Sequence, residues 1–170
     1  LMFEKFNHFS PFDLRRISIA SIKMDNEFIF NKILTIPKVL VKKDNEHIFE
    51  FLGQAQCFKK IKYTRIILDK IREINIILPE RYSLGHMVIR AVAQNNKEFI
   101  DLLLGSYNDL FEKISTIELC EMFVRFTAGG YSGFEILFQK VREMMVSRDE
   151  KSVDDSVERL LLERLLLEYS

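Results

Sequence analysis

The residues that could carry metal or acid–base chemistry are few and scattered. The histidines are His8, His47 and His86, and the cysteines are Cys57 and Cys120. None of them occurs in a His-Glu-x-x-His, His-x-x-x-His or Cys-x-x-Cys arrangement, the spacings that place two ligands beside one metal ion. His86 lies near a predicted helix start, where a capping or turn role is expected. We therefore expect no metal site and no bound cofactor.

The two cysteines, Cys57 and Cys120, are 63 residues apart, and both have apolar neighbours. A disulfide framework would need more cysteines, so we expect both to be reduced, buried thiols. Burial in apolar surroundings raises the pKa of a thiol and lowers its reactivity, which argues against either as a nucleophile. Reduced cysteines are typical of a cytoplasmic protein.

A glycine cluster, Gly129-Gly130-Tyr131-Ser132-Gly133, could in principle hold a phosphate. It lacks the Gly-Lys-Ser/Thr ending of a P-loop, and no strand is predicted before it. We expect a lengthened turn between two helices instead. The acid pairs Asp149-Glu150 and Asp154-Asp155 fall in a predicted linker and at a helix start, where they are solvated charges. No catalytic residue is predicted.

Charge is unevenly distributed along a chain whose net charge is zero. Residues 38–72 contain nine basic and four acidic residues, whereas residues 149–170 contain three basic and seven acidic ones. The densest basic cluster supplies the predicted binding residues Lys59, Lys60, Lys62 and Arg65. Such a cluster could meet an acidic protein, a phosphoinositide headgroup or nucleic acid. The alternative interpretation is an ordinary solvated helix face.

The elements that must position these residues are predicted to be helices. Only six glycines and three prolines occur in 170 residues, and apolar residues recur at helical spacing almost throughout. Charged residues interrupt every apolar run, so no membrane span is predicted. The first residues carry both Glu4 and Lys5, which is not the pattern of a secretory signal.

The helical pattern also repeats along the chain. A shift of 71 residues places Ala20 on Ala91 and 27–29 on 98–100, both of which are Glu-Phe-Ile. A shift of 35 carries Val88 to Phe123, Ala93 to Ala128, Phe99 to Phe134 and Leu102 to Leu137, and a shift of 33 in the other direction carries Val88 to Ala55. About four helix pairs at this period predict a stacked solenoid. An irregular helical bundle is the alternative.

The segment from Ala91 to Leu104 resembles the second half of an ankyrin repeat. A small residue lies on the first helix, a polar turn follows at Asn95-Asn96, and an acidic-apolar-apolar triplet precedes a leucine run. The match is best over residues 84–104, and His86-Met87-Val88-Ile89 stands where a consensus repeat has Thr-Pro-Leu-His. The resemblance implies an all-α solenoid of about four degenerate ankyrin-like repeats that binds other proteins and has no catalytic activity.

The repeats are predicted to form one domain over residues 1–146. Residues 147–170 are predicted to be a polar linker followed by a leucine-rich helix packed on the same domain. Ser152 and Asp155 form a helix-start pattern ahead of this helix. It would cap the end of the stack, or serve as a partner or oligomerisation helix.

The expected function is therefore that of a non-catalytic protein–protein interaction module. Residue usage rich in Ile, Lys, Asn and Phe is typical of AT-rich genomes. Degenerate ankyrin-type arrays in such genomes often belong to intracellular microbes and act on host proteins, so a host-directed effector is the further expectation. The alternatives are an all-helical enzyme with an unrecognised site, and nucleic-acid or phosphoinositide binding through residues 38–72.

Overall fold

The structure is a computed structural model that describes residues 8–36, 39, 46–74, 83–129 and 133–151. Over these ranges the chain forms helices joined by turns and contains no strand, so the all-α prediction is confirmed. The chain divides into two compact units, residues 1–82 (unit 1) and 83–170 (unit 2). No described helix has the length and apolar content needed to cross a membrane.

Unit 1 contains α1 (Pro11–Lys23), α2 (Glu27–Leu34), α3 (Glu46–Cys57) and α4 (Ile61–Ile74). Helix α1 packs against α2 and α3, and α3 packs against α4. The Ser10 hydroxyl accepts from the Asp13 N–H while the Asp13 carboxylate accepts from the Ser10 N–H, and Pro11 follows at the first helical position. This capping box satisfies backbone donors that the first turn of α1 leaves unpaired.

The core of unit 1 is built around Phe30, which meets two aromatic rings edge to face. Its ring centroid is 6.0 Å from that of Phe51 on α3 and 5.2 Å from that of Tyr63 on α4. All three side chains are fully buried. Edge-to-face packing brings the positive edge of one ring to the negative face of another, so these contacts add to the stabilisation from apolar burial.

Unit 2 contains α5 (Leu84–Ala93), α6 (Lys97–Gly105), α7 (Asn108–Phe111), α8 (Thr116–Gly129) and α9 (Glu135–Lys151). Helix α5 packs against α6 and α8, α6 against α7, and α8 against α9. The rings of Phe123 on α8 and Phe138 on α9 stack with centroids 5.1 Å apart. Of the glycine cluster, Gly129 ends α8 and Gly133 precedes α9, while residues 130–132 fall outside the described residues.

The starts of α5 and α8 are joined by the carboxylate of Glu118. It accepts from the Gly85 N–H at 3.2 Å, and from the Ser115 N–H and hydroxyl at 2.9 and 2.6 Å. A Cβ atom on Gly85 would lie 2.9 Å from the Glu118 Cβ, closer than real Cβ atoms approach. Glycine at position 85 is therefore what allows the two helix starts to meet.

Burial along the helices defines how the helix pairs correspond, and it corrects the sequence alignment. Ala91 is fully buried, as the repeat predicts, but Ala20 is exposed and the buried Ser21 takes the corresponding place in α1. Phe28 is 61% exposed, whereas Phe99 is buried. The shift of 71 is therefore wrong by one residue, because identical residues were aligned across different helix faces.

The other two shifts fare differently. Ala91 corresponds in burial and in its following turn to Ala55, a shift of 36, so the predicted shift of 33 is wrong by almost one helical turn. At the shift of 35, Val88 and Phe123 are both buried, as are Phe99 and Phe134, but Phe99 lies inside α6 whereas Phe134 precedes α9. This shift therefore stays a prediction. Stacking of four pairs into one solenoid stays a prediction.

The structure changes two further expectations, one about Cys57 and one about residues 147–151. Cys57 is exposed although the apolar Phe58 follows it, because Cys57 lies at the end of α3 on the face turned from the core. Cys120 is buried as expected. Helix α9 continues through Lys151, so residues 147–151 extend a helix where a linker was predicted. The predicted start of the leucine-rich helix at Ser152 and everything after it lie outside the described residues, as does most of 37–45.

Candidate functional site

In the part of the chain that the structure describes, three helix pairs are joined by the same backbone turn. The residue after each first helix's cap has a positive φ: Asp25 (60°), Lys59 (52°) and Asn95 (49°). The N–H of the next residue then donates to the carbonyl five residues back, at 2.8 Å in all three turns. This is the Schellman arrangement, in which a left-handed residue closes the helix end. The shared geometry makes the three turns directly comparable, position by position.

The turn at Lys59, the middle turn in sequence, differs from the turns at Asp25 and Asn95 in the residue types at two positions. Asn26 and Asn96 each cap the following helix, since their side-chain oxygens accept from the N–H groups of Ile29 and Phe99. Lys60 holds the equivalent place before α4, and an ammonium group cannot accept a hydrogen bond. Lys59, likewise, occupies a left-handed position that suits Asn, Asp or Gly better than lysine. Both lysines therefore cost local stability.

The first and middle turns lie side by side and are linked by ion pairs. The Lys60 ammonium is 3.5 Å from the Asp25 carboxylate, and Lys62 pairs with Glu27. The hydrogen bond that the Lys62 ammonium donates to the Glu27 carboxylate raises the pKa of Lys62 above its ordinary value. These pairs are solvent-exposed, so each adds little to stability, but together they hold the two turns in register.

The predicted binding residues Lys59, Lys60, Lys62 and Arg65 all lie on this edge of unit 1. Lys59 is at the turn, Lys60 and Lys62 begin α4, and Arg65 is exposed on the same helix. The structure adds two acids, Asp25 and Glu27, which the sequence analysis did not connect with the cluster. They come from the preceding turn, and a repeat alignment in the correct register would have brought them opposite the lysines.

Exposed apolar side chains complete this edge, and sequence reasoning missed them as well. Met24 is 79% exposed, Phe28 is 61% exposed and Phe58 is 37% exposed. The Lys32 ammonium lies 6.0 Å from the centre of the Phe28 ring, within reach of a cation–π contact. We call residues 23–28, 32 and 58–65 the turn surface. It combines cations, two acids and three large apolar side chains.

Tyr63 lies in the core beneath the turn surface. Its side chain is fully buried, and its hydroxyl has no hydrogen-bond partner among the described residues. Burial, reinforced by the neighbouring Asp25 carboxylate, raises the pKa of Tyr63 to about 12. The ring packs on Phe30 and anchors the start of α4 in the core.

Unit 2 carries a groove of about 420 Å³ between α7 and α9, lined by Glu112, Lys140, Glu143, Met144, Ser147 and Arg148. Its charges are engaged with one another. The Lys140 ammonium is 3.6 Å from the Glu112 carboxylate, and Arg148 donates to the Glu112 carbonyl at 2.9 Å. The three histidines do not line it, and within the described ranges no group of three or more His, Cys, Asp or Glu side chains is placed to hold a metal ion.

His86 lies at the start of α5 and has a local structural role. The Ser83 hydroxyl accepts from the His86 N–H at 3.2 Å and is 2.8 Å from the His86 Nδ1. The Nε2 of the same ring is 3.3 Å from the Glu121 carboxylate on α8. The residue that caps α5 is Ser83, and His86 lies in the first turn beside it. The turn surface remains the strongest candidate for recognition.

Comparison of this chain with protein-family models, with curated protein sequences and with solved structures finds no match, so function is argued from its own residues.

Proposed function

We propose that this chain is a non-catalytic protein-interaction module, built from successive helix pairs of ankyrin-like type, that binds a partner protein through the turn surface of unit 1. The proposal for the fold is supported by the recurrence of one turn geometry at Asp25, Lys59 and Asn95. It is also supported by the packing of first helices on each other, α1 on α3 and α5 on α8. Repeated units of this kind present a row of turns along one edge.

The observation that carries the binding proposal is the pair of lysines in the middle turn. The chain uses Asn95-Asn96 in the turn before α6, where the two residues suit a left-handed position and a helix cap. In the turn before α4, Lys59-Lys60 gives up both advantages. A departure from the locally preferred residues is expected where function requires it. We infer that the two ammonium groups are retained for a partner.

The apolar neighbours of these lysines indicate what kind of partner. Met24, Phe28 and Phe58 expose large apolar side chains on the same edge. Aromatic residues and methionine are enriched at protein–protein interfaces, where a few buried anchors supply most of the affinity. Cations at the rim then steer association more than they strengthen it. The mixture at the turn surface fits protein recognition.

The proposal is tested by affinity capture from an extract of the source cells, comparing variants quantitatively. We expect Met24→Ser with Phe28→Ser to lose most of a protein retained by the wild type. Ile136→Ser is the matched control, because Ile136 is 78% exposed but lies in unit 2. Far-UV circular dichroism of each variant verifies that the helices are intact.

The pattern across variants decides the outcome. Retention that falls in the Met24/Phe28 variant and persists in the Ile136 variant supports the turn surface. Equal retention by both variants, or loss only in the Ile136 variant, would place binding elsewhere and overturn the proposal.

A further inference from the structure

We infer that the partner of the turn surface is an acidic protein segment that carries apolar anchor residues. This inference rests on the proposed protein-binding function and goes further by stating the chemistry of the partner. It follows from the net charge of the turn surface, from the placement of its apolar side chains and from the two carboxylates between them.

The turn surface has a clear excess of positive charge. Its cations number six against two acids, Asp25 and Glu27, which leaves a net charge of +4 (Lys23, Lys32, Lys59, Lys60, Lys62 and Arg65). The acids are already paired with Lys60 and Lys62 within unit 1. Complementary potentials across an interface speed encounter and disfavour partners of the same sign. A segment rich in Asp and Glu is the protein partner that this charge selects.

The apolar side chains set the second requirement. Met24 and Phe28, which is 61% exposed, lie on either side of the turn between α1 and α2. Phe58 lies in the next turn along the chain, which Lys60 joins to Asp25. Covering these groups removes apolar surface from water, which supplies affinity that solvated ion pairs do not. A purely acidic segment would leave them exposed. The partner must therefore interleave apolar residues with its acids.

The two carboxylates favour a protein over a nucleic acid. A phosphate backbone carries regularly spaced negative charge, and Asp25 and Glu27 lie directly among the cations it would contact. A protein segment can place its own acids opposite the cations and turn an apolar side chain toward the Asp25 side. The mixed surface is thus matched by a mixed partner.

The inference is tested by fluorescence anisotropy of the full chain with labelled synthetic probes. The peptide probes alternate acidic with leucine residues, acidic with serine, serine with leucine, or lysine with leucine; a single-stranded oligonucleotide and phosphoinositide vesicles complete the set. We expect the acidic–leucine peptide to bind most tightly and added salt to weaken it, since surface attraction is screened over ~10 Å at 0.1 M salt.

Charge-reversal variants tie binding to the surface. Lys59→Glu with Arg65→Glu should weaken the acidic–leucine peptide by about tenfold or more. Lys113→Glu with Arg142→Glu changes the same number of exposed charges in unit 2 and should have no effect. Met24→Ser with Phe28→Ser should reduce binding of the acidic–leucine peptide to the level of the acidic–serine peptide.

Several outcomes would overturn the inference. Equal binding of the neutral serine–leucine peptide would remove the role of charge, and tighter binding of the oligonucleotide or of the vesicles would replace the protein partner. Failure of every peptide to bind, while the captured protein is still lost in the Met24/Phe28 variant, would refute the acidic class but leave the proposed function standing. Capture that is insensitive to that variant would remove the proposed function itself.

Discussion

Lys59 and Lys60 are the residues at which local stability and proposed function diverge. Both stand at positions where the chain's other turns use Asp, Asn or an N-capping amide. A lysine at the left-handed position and one at the cap position weaken the turn, and the exposed ion pair to Asp25 offsets only part of this. The effect of replacing these lysines can be measured separately on the free energy of unfolding and on the affinity for the partner.

We predict that Lys59→Asn with Lys60→Asn, which copies the chain's own Asn95-Asn96 turn, raises the free energy of unfolding by about 1 kcal/mol, because Asn at the cap position accepts a backbone hydrogen bond. Chemical denaturation measures the change. The same variant should bind the partner more weakly than the wild type. Lower stability of the variant would show that the lysines carry no local cost. Higher stability with full affinity would show that the lysines are not retained for binding.

The basic residues of the turn surface could be picked out from the sequence, but the side chains around them could not. The basic cluster was visible as a run in the sequence, whereas the carboxylates that pair with Lys60 and Lys62 come from a turn more than thirty residues earlier. Exposure of Met24, Phe28 and Cys57 depends on which face of its helix each residue occupies. The apolar Phe58 beside Cys57 led to the wrong prediction that this thiol is buried. Side-chain partners across helices are set by tertiary packing, which composition does not encode.

At the scale of the element, the meeting of α5 and α8 depends on a glycine inside a helix. Gly85 is buried against Glu118, whereas Gly105 near the end of α6 has no atom within 4 Å of where a Cβ would lie. Alanine is otherwise better than glycine in a helix. The two positions therefore separate the helix-propensity gain from the steric cost.

We predict that Gly85→Ala destabilises the protein by about 1–3 kcal/mol, because the new methyl group forces Glu118 and α8 to shift. Gly105→Ala should instead be neutral or stabilise by up to about 1 kcal/mol. Thermal or chemical unfolding of the two variants provides the measurement. Equal behaviour of both variants would mean that the α5–α8 junction relaxes freely and that Gly85 has no special role.

Glu118 also gives the junction a pH dependence. Burial opposes its ionisation, but hydrogen bonds from the Ser115 and Ser83 hydroxyls and from the Ser115 and Gly85 N–H groups outweigh burial and hold the pKa below its ordinary value of 4.5. A carboxyl whose pKa is lower in the folded state stabilises the fold above its unfolded pKa. That stabilisation is lost as pH falls through the folded pKa.

We predict that Glu118→Gln lowers the free energy of unfolding by about 1 kcal/mol at neutral pH, since hydrogen bonds to a charged acceptor are replaced by weaker ones. The difference between wild type and variant should shrink as the pH is lowered below the ordinary pKa of glutamate. Urea denaturation at several pH values measures it. A difference that stays constant from neutral to strongly acidic pH would contradict this role for the ionised carboxylate.

The helical elements themselves were largely predictable, while their register was not. The helical spacing of apolar residues correctly indicated α5 and α6, and the polar break at Asn95-Asn96 marked the turn between them. The alignment of Ala20 with Ala91 failed because it followed residue identity, although Ser21 is the residue that shares the burial of Ala91. A one-residue error rotates every side chain by about 100° around the helix, which is enough to exchange core and surface.

At the scale of the whole molecule, one turn geometry occurs three times among the described residues, each time with different side chains. Asp and Asn are residue types that suit this turn, as at Asp25 and Asn95. Lys59 adopts the same turn although lysine is less favoured there, and it lies on the edge that exposes Met24, Phe28 and Phe58. The function proposed for the chain depends on whether that edge of unit 1 meets another protein. Charge, exposed apolar area and the departure from preferred turn residues all point to the same edge.

The most direct measurement is site-specific photocrosslinking in an extract of the source cells, with a photoreactive phenylalanine analogue replacing Phe28 or, as the control, Ile136. Both positions are highly exposed, but they lie in different units. The proposed function predicts an adduct at position 28 that is degraded by protease and left intact by nuclease. The yield of this adduct should fall when Lys59→Asn and Lys60→Asn are also introduced. An adduct no stronger at position 28 than at position 136, or one that nuclease removes, would contradict protein recognition by the turn surface.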